Sequence, residues 1–152
     1  MSATFRAGVG MVVLDPAGRV LSLERDDHPG SWQFPQGGIE AGEDPSTAMW
    51  RELAEEVGLT PVEVELVAEL PEWLGYELPE PLRSEKTGRG QVHRWFVLRS
   101  LSGQPQIDLG PPDRAEFRAH RWIEMSAAVD AVVPFRQPVY RRLAELLTTT
   151  DR

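Results

Sequence analysis

The sequence predicts an α/β fold of the α+β kind, in which helices flank a central mixed β-sheet. Five segments are rich in β-branched, aromatic or leucine residues, which favour strands. Two further segments carry apolar residues at helical spacing, and one of them also has clear signals at both ends. A chain of 152 residues, 41% of them hydrophobic, can bury one core. We therefore expect a single domain over residues 1–152, with 147–152 as a frayed tail.

Strands, turns and loops follow one another in order along the chain. A Gly- and Val-rich strand over 6–14, a turn at 15–18 and a second strand over 20–24 together predict a hairpin. Further strands are predicted over 62–70, 92–99 and 116–123. The Pro- and Gly-bearing stretches 71–90 and 103–112 are predicted as surface loops, and long loops are often where substrates bind.

The two predicted helices differ in how clearly the sequence marks their ends. Asp44 can cap the N-terminus of the first helix, Pro45 suits its first position, and Gly58 can adopt the left-handed conformation that ends it. This helix is therefore predicted over 45–57. The second, over 139–147, has an apolar face that we expect to pack against the sheet.

Composition and charge exclude several classes of protein. The chain has no cysteine, so disulfide frameworks, thiolate metal sites and cysteine nucleophiles are excluded. With 24 Asp and Glu against 16 Lys and Arg, the net charge of −8 argues against binding an extended nucleic-acid duplex. The longest apolar run, 7–14, is too short to span a bilayer, and no signal peptide is evident. We expect a cytoplasmic protein with no membrane partner.

The histidines and tryptophans indicate no site of their own. The histidines show no zinc-ligand spacing, and we interpret His28, His93 and His120 as ordinary surface or strand residues. The tryptophans occur in different predicted elements, and packing in the core explains them more simply than a base-binding motif does. They are Trp32, Trp50, Trp73, Trp95 and Trp122.

The first helix carries three glutamates on one face. Glu52, Glu55 and Glu56 are three and four positions apart, so their carboxylates lie within reach of one another. Like charges this close destabilise a helix unless water or a cation relieves them, and oxygen ligands suit hard ions such as Mg²⁺ or Mn²⁺. A solvated acidic face is the alternative interpretation. A different arc of the helix is predicted to hold the apolar residues Met49, Trp50, Leu53, Ala54 and Val57.

The segment before this helix favours a metal site over a solvated face. Residues 36–43 contain three glycines and two further acids, and glycines allow the backbone to approach a ligand closely. Arg51 can pair with Glu55 or with an acid of this loop, which would fix the loop against the helix.

These residues resemble the signature of the Nudix hydrolase family. Every fixed position of the Nudix box is matched, from Gly37 and Glu43 through 51–53 and 55–56 to 58–59. The resemblance implies the Nudix fold, an α/β/α sandwich around a mixed sheet, and hydrolysis of a nucleoside diphosphate linked to a further group. The structural residues of the motif are then Gly37, Glu43, Arg51 and Gly58.

Segments outside the box are similar to those of bacterial RNA pyrophosphohydrolases and related dinucleoside polyphosphate hydrolases. The segment 32–39 matches the lead into the box, and Tyr76 stands where dinucleoside polyphosphate hydrolases have a tyrosine. The chain departs at Asp26 and Asp27, where these relatives tend to carry adjacent basic residues, which predicts a weaker phosphate contact. Further similar segments, covering most of the chain, are 72–79, 94–96, 116–122 and 135–142.

The resemblance also implies roles for individual residues. Mg²⁺, with Mn²⁺ as a substitute, would neutralise phosphate charge and activate water, and the base for that water is left open. The implied ligands are Glu52, Glu55, Glu56, Glu116 and a backbone carbonyl near Gln36. An aromatic ring such as that of Phe135 can stack on a base. The implied substrate-binding residues are Arg6, Trp32, Gly37, Gly38, Tyr76 and Phe135.

The function expected from these residues is Mg²⁺-dependent cleavage of a pyrophosphate linkage in nucleoside polyphosphates. The substrate would be a 5′-triphosphorylated RNA end, which loses pyrophosphate and keeps one phosphate, or a dinucleoside polyphosphate. One alternative is an enzyme that removes modified nucleoside triphosphates from the nucleotide pool. Another is a nucleotide- or RNA-binding regulator without turnover, which the intact glutamates disfavour. Substrate preference, the number of ions and the oligomeric state stay open.

Overall fold

The computed structural model describes residues 4–150. Within this range the chain forms seven strands and three α-helices. In order they are β1 (Phe5–Leu14), β2 (Val20–Arg25), β3 (Trp32–Gln33), β4 (Gln36–Gly38), α1 (Pro45–Val57), β5 (Val64–Glu77), β6 (Gly90–Ser100), β7 (Phe117–Ile123), α2 (Met125–Ala131) and α3 (Gln137–Thr150). Short 3-10 helices occupy Glu80–Leu82 and Pro134–Arg136.

The strands form one mixed sheet in the order β3-β2-β1-β6-β5. The central strand β1 runs parallel to β6, with Phe5 opposite Gly90 and Leu14 opposite Arg99. It is antiparallel to β2, which confirms the predicted hairpin, and to β4. Strand β7 pairs with β2, while β5 pairs with β6 and forms the far edge. The predicted mixed sheet is therefore confirmed.

Helices cover both faces of the sheet and produce an α/β/α sandwich. Alternate residues of β1 point to opposite faces, so Val9 and Met11 enter the core beneath α1, whereas Val12 enters the core beneath α2 and α3. A strand that is buried on both faces has no solvent-facing side to make polar. This explains the continuous apolar run at 7–14 in the sequence.

The predicted ends of α1 are confirmed. The Asp44 side chain accepts a hydrogen bond from the backbone N–H of Thr47 at 2.8 Å, and Pro45 is the first helical residue. Gly58 ends the helix in the left-handed conformation, with φ of 72°, and its N–H donates to the Ala54 carbonyl at 3.0 Å. A residue with a Cβ would be strained in that conformation.

The prediction of a loop over 71–90 is wrong in its first part. Strand β5 continues to Glu77 and stays paired with β6, with Tyr76 opposite Gln91. Irregular register between Glu69 and Trp73 accommodates Pro71, which an edge strand tolerates because one side of it needs no backbone donor. The connection to β6 therefore covers only residues 78–89.

Two strands and one α-helix were not predicted, and another α-helix is longer than predicted. Strands β3 and β4 are two and three residues long, too short for a periodic signal. Helix α2 has no side-chain cap at its start, so its beginning carries no local signal. Helix α3 extends to Thr150, past the predicted end at 147. Of the predicted tail, residues 151–152 lie outside the described residues.

The interpretation of all five tryptophans as core residues is wrong for two of them. Trp95 is 1% exposed and lies in the core beneath α2 and α3, and Trp50 and Trp122 pack against the other core. Trp73, however, is 45% exposed, and Trp32 is half-buried beneath the Arg121 guanidinium, 4.0 Å from the ring centroid. Across residues 4–150, no helix is both long and apolar enough to cross a membrane.

Candidate active site

Strand β4 brings the glycine-rich segment against both β1 and α1. Gly37 lies opposite Val9 of β1, and a Cβ at Gly37 would overlap the carboxylate of Glu52 on α1. Gly38 is covered in the same way by the guanidinium of Arg6. The two glycines therefore allow a carboxylate and a guanidinium to lie directly on the strand, which no residue with a side chain would permit.

Arg51 fixes this strand to the helix, as predicted. Its guanidinium donates to both carboxylate oxygens of Glu43, each at 2.8 Å, and to the Gly38 carbonyl at 2.9 Å. It also donates to Glu52 at 2.8 Å and to Glu55 at 3.4 Å. The Arg51 guanidinium lowers the pKa of Glu43 to about 2, so Glu43 is ionised and the bidentate pair is charged.

The glutamates of α1 converge, but they differ in burial. Glu55 is exposed, Glu52 is largely covered, and Glu56 is buried with Leu53 on the inner side of the helix. Ala54, predicted to lie on the apolar face, is exposed instead. The predicted division of the helix is therefore wrong at Glu56 and Ala54, because the fold places one carboxylate inside the protein.

Burial and repulsion both act on the inner carboxylates. Burial, together with the negative charges of Glu116 and Glu52, holds the pKa of Glu56 well above its usual range. Burial is also the main cause that raises the pKa of Glu52. Glu116, predicted as a distal member of this site, immediately precedes β7 and lines the same cavity as the three helix glutamates.

The donor set fits a divalent cation. Two buried oxygens, Glu56 Oε2 and Gln36 Oε1, have no hydrogen-bond partner in the described part of the chain. A cation would satisfy an orphaned carboxylate oxygen and relieve the repulsion among the acids, and oxygen is the ligand that hard divalent ions take. As the side chains stand, no three His, Asp or Glu within residues 4–150 are arranged to hold an ion. Arg51 engages Glu52 and Glu55, so an ion must compete with Arg51 for them.

Two cavities meet at Glu116. The smaller, about 220 Å³, is lined by the four glutamates and by the segment from Leu109 to Phe117. The larger, about 730 Å³, lies on the other side of Glu116 and has Gln36, Gly37 and Gly38 in its wall. A volume of this size is typical of sites for nucleotide-sized ligands.

The larger cavity carries basic side chains that no acid neutralises. Arg6, Lys86 and Arg136 line it, and none of them forms an ion pair with an Asp or Glu in the described range. Arg25 also lines it, but its guanidinium is held by both Asp27 oxygens at 2.8 Å. The sequence predicts a weak phosphate contact near Asp26 and Asp27. In agreement with this, Asp27 already occupies the guanidinium of Arg25, the arginine next to these acids.

Arg136 is a feature of this cavity that the sequence did not reveal. It is buried at 7% exposure, donating to Gln33 Oε1 at 2.8 Å and to the Tyr76 hydroxyl at 3.1 Å. Tyr76 in turn donates to Gln91 Oε1. Arg136 follows Phe135, which was predicted to bind substrate, but no local pattern marks it as buried.

His93 is the second residue whose place was not predicted. It is 3% exposed in β6, lines the larger cavity, and its ring lies 6.0 Å from that of Tyr76. Burial, with the nearby charges of Arg136 and Arg6, lowers the pKa of His93 to about 3, so the ring is neutral at physiological pH. The interpretation of His93 as an ordinary strand residue is therefore incomplete, whereas His28 and His120 are exposed as expected.

The predicted substrate-binding residues do not all lie together. Arg6, Gly37, Gly38 and Phe135 line the larger cavity. Tyr76 is buried behind that lining, beside Phe135 at 5.5 Å between ring centroids. Trp32 lies outside the lining, so direct contact of Tyr76 and Trp32 with substrate stays a prediction.

A family comparison fits this arrangement. The model of the NUDIX domain family matches residues 4–143 of the chain. The chain belongs to the NUDIX domain family. The Nudix fold expected from the sequence is therefore confirmed. The prediction that the chain is an enzyme that hydrolyses phosphorus-containing anhydrides is confirmed as well. Nudix hydrolases generally use divalent metal ions, in agreement with the oxygen-rich acidic cavity.

The Nudix chain is also similar to curated bacterial enzymes over nearly its whole length. An RNA pyrophosphohydrolase of Rhodospirillum rubrum is 43% identical over 146 residues, covering 93% of this chain and 87% of the relative. The RNA pyrophosphohydrolase of Acidiphilium cryptum is 42% identical over 146 residues, covering 92% of this chain and 88% of that protein.

Solved structures resemble the Nudix chain in fold. The Escherichia coli dihydroneopterin triphosphate pyrophosphohydrolase superposes with a TM-score of 0.75 at 24% identity, covering 91% of this chain and 96% of that one. An Ap4A hydrolase of Caenorhabditis elegans superposes with a TM-score of 0.71 at 21% identity, covering 95% and 98%.

Proposed function

We propose that this chain is an RNA pyrophosphohydrolase that removes pyrophosphate from the 5′-triphosphate end of RNA and leaves a 5′-monophosphate. The observation that carries the proposal is the meeting of two unlike cavities at Glu116, one basic and nucleotide-sized, the other acidic. The similarity over most of the chain to two bacterial RNA pyrophosphohydrolases supports the same substrate class.

The larger cavity would hold the terminal nucleotide. Phe135 offers a ring on which a base can stack, and Leu78 and Leu82 add apolar surface. Arg6 and Lys86 would neutralise phosphates, while Arg136 holds Gln33 and Tyr76 in place. The net charge of −8 disfavours an extended duplex, in agreement with a single-stranded RNA end as the ligand.

The smaller cavity would perform the chemistry. The residues that would hold Mg²⁺, or Mn²⁺ in its place, are Glu52, Glu55, Glu56 and Glu116, together with the backbone carbonyl near Gln36. Such an ion supplies charge neutralisation on the phosphates and lowers the pKa of a water molecule. Glu116 lines both cavities, so it would lie beside the linkage to be cleaved and would orient the attacking water. Arg51 restrains Glu52 and Glu55 and so limits the movement of the cluster.

Dinucleoside polyphosphates are a second candidate substrate. The observation in their favour is Tyr76, which joins Arg136 and Gln91 in one hydrogen-bonded group behind the cavity wall. A wall supported in this way would hold a nucleoside in a fixed position, whatever lies beyond its phosphates. The same enzyme would release a nucleoside triphosphate and a monophosphate from a dinucleoside tetraphosphate.

Hydrolysis by the purified chain tests the proposal. We expect 5′-triphosphorylated RNA to yield pyrophosphate and 5′-monophosphorylated RNA in the presence of Mg²⁺, and Glu55→Gln to reduce the rate at least about 100-fold. Glu65→Gln is the matched control, because Glu65 is exposed on β5 and lines neither cavity. Parallel reactions with a dinucleoside tetraphosphate and with nucleoside triphosphates rank the substrates.

The same reactions separate the alternatives. Cleavage of free nucleoside triphosphates without action on RNA or dinucleotides would replace the proposal with a role in the nucleotide pool. Binding of RNA without any product, in either Mg²⁺ or Mn²⁺, would instead identify a regulator.

A further inference from the structure

Arg114 lies on the segment that borders the acidic cavity. The segment 103–116 is anchored at two points: Gln104 Nε2 donates to Asp15 at 3.0 Å, and the Asp108 N–H donates to the Val57 carbonyl at 3.0 Å. A turn then follows, in which the Arg114 N–H donates to the Pro111 carbonyl at 2.9 Å. These contacts hold the backbone of Arg114 beside α1.

The Arg114 side chain has no hydrogen-bond or ion-pair partner among residues 4–150. It is exposed and lines the smaller cavity together with Glu52, Glu55, Glu56 and Glu116. Even so, it forms no ion pair with any of them, or with another acid in residues 4–150. Arg51, by contrast, pairs with four acids. Arg51 therefore has the structural role, and Arg114 is left available.

A cation and an unpaired arginine in one cavity call for an anion between them. Without an anion, the guanidinium would repel any divalent ion held by the glutamates. A polyphosphate removes this conflict, because its oxygens can face the ion on one side and the guanidinium on the other. The planar guanidinium of arginine can donate two parallel hydrogen bonds to two oxygens of a phosphate.

We infer that Arg114 binds the phosphates on the leaving-group side of the cleaved linkage. The inference rests on the proposed function and extends it. Arg114 lines the smaller cavity and not the larger, whereas Glu116 lines both. With the nucleoside in the larger cavity and the linkage at Glu116, the departing phosphates lie towards Arg114. Its guanidinium would neutralise the charge that develops on them as the bond breaks.

Comparison of two RNA substrates tests this role. Arg114→Ala is expected to lower kcat/KM on 5′-triphosphorylated RNA about 30- to 100-fold, because pyrophosphate is the more highly charged leaving group. The loss on 5′-diphosphorylated RNA, which releases only phosphate, should be at least about fivefold smaller. Arg114→Lys should recover part of the rate by restoring the charge without the paired donors. Arg141→Ala, an equal change of charge at an exposed position of α3, should leave both substrates unaffected.

Two binding measurements provide readouts besides turnover. Calorimetric titration with Mn²⁺ should show that Arg114→Ala binds the ion at least as tightly as the native chain, since a repelling cation has been removed. In Mg²⁺, an α,β-methylene nucleoside triphosphate, which resists cleavage at that linkage, should bind Arg114→Ala about tenfold more weakly.

The outcomes distinguish this inference from the proposed function. An equal loss on both RNAs, weaker Mn²⁺ binding, or unchanged affinity for the methylene analogue would overturn the role of Arg114. A native chain that hydrolyses none of the RNAs would overturn the proposed function. In that case the analogue titration still decides whether Arg114 contacts phosphates.

Discussion

The carboxylate of Glu56 shows how one residue acquires its chemistry from burial. Sequence spacing places Glu56 within reach of Glu52, but spacing alone does not say which side of the helix faces the protein. In the fold, Glu56 is buried next to two other acids whose charges raise its pKa, and its Oε2 has no hydrogen-bond partner among the described residues. A cation bound in the acidic cavity would satisfy this oxygen and reduce the repulsion among the carboxylates.

His93 provides a prediction about pH at the scale of one residue. Its pKa is about 3 in the folded chain against an ordinary 6.5, so between these values the unfolded chain binds a proton that the folded chain does not. The free energy of unfolding therefore falls as pH drops below 6.5, by about 2 kcal/mol at pH 5 from this group. Urea unfolding at pH 7.5 and at pH 5 measures the loss, which should be about 2 kcal/mol smaller in His93→Gln.

Comparison of the native chain with His93→Gln separates the effect of His93 on the free energy of unfolding from the effect of the carboxylates. Acids that titrate in this range are common to both chains and cancel in the difference. Identical pH dependence of the native chain and His93→Gln would show that the histidine is not held neutral.

Single residues also mark where sequence reasoning stops. The sequence predicts that Arg51 pairs with Glu55 or with a loop acid such as Glu43, because these residues are local to one helix and its lead-in loop. Arg136 and His93 were not predicted as cavity residues, because they are separated from Gln33 and Tyr76 in the sequence and meet them only after the sheet has formed. Nothing in the local sequence predicts that such side chains share a cavity wall.

Helix α1 is the element that the sequence defines most completely. Its start and end depend on Asp44, Pro45 and Gly58, whose effects extend only one turn. Strand β5 is the opposite case: its second half was predicted as loop because Pro71 and Gly75 interrupt the alternation. Its pairing with β6, which lies far along the chain, supplies the order that local propensity does not.

The left-handed end of α1 yields a prediction for this element. In Gly58→Ala the added Cβ would occupy a strained conformation and lie 2.9 Å from the Asp108 Cβ. We expect a loss of about 1–2 kcal/mol in the free energy of unfolding, measured in urea at neutral pH. Gly58→Asn, which tolerates this conformation better, should lose less. Equal stability of the alanine variant and the native chain would contradict the assignment of this helix end.

On the scale of the whole molecule, charge is segregated rather than mixed. The chain carries a net charge of −8, yet three basic residues of the larger cavity, Arg6, Lys86 and Arg136, have no acidic partner in the described structure. Composition predicted the overall sign correctly, but the local reversal depends on Arg6, Lys86 and Arg136 arriving from three distant segments. The substrate would therefore meet a basic entrance on an acidic protein.

The dependence of KM on ionic strength tests whether the overall negative charge or the basic residues of the larger cavity dominate substrate binding. If the cavity cations dominate, raising NaCl from about 50 to about 500 mM should raise KM for 5′-triphosphorylated RNA at least about tenfold, with kcat little changed. Steady-state kinetics at constant Mg²⁺ measure both quantities. If the overall negative charge dominated, salt would screen repulsion and KM would fall.

The parallel pairing of β1 with β6 has a consequence for how the molecule assembles. Phe5 and Gly90 are about 85 positions apart, so the centre of the sheet depends on closing a long stretch of polypeptide. During synthesis, β2 and β4 emerge soon after β1, but its parallel partner β6 is complete only when well over half of the protein has left the ribosome. Until then the side of β1 that faces β6 in the folded protein has no partner strand, and protection by a chaperone or rapid completion of translation would shorten the time for which this apolar edge can aggregate.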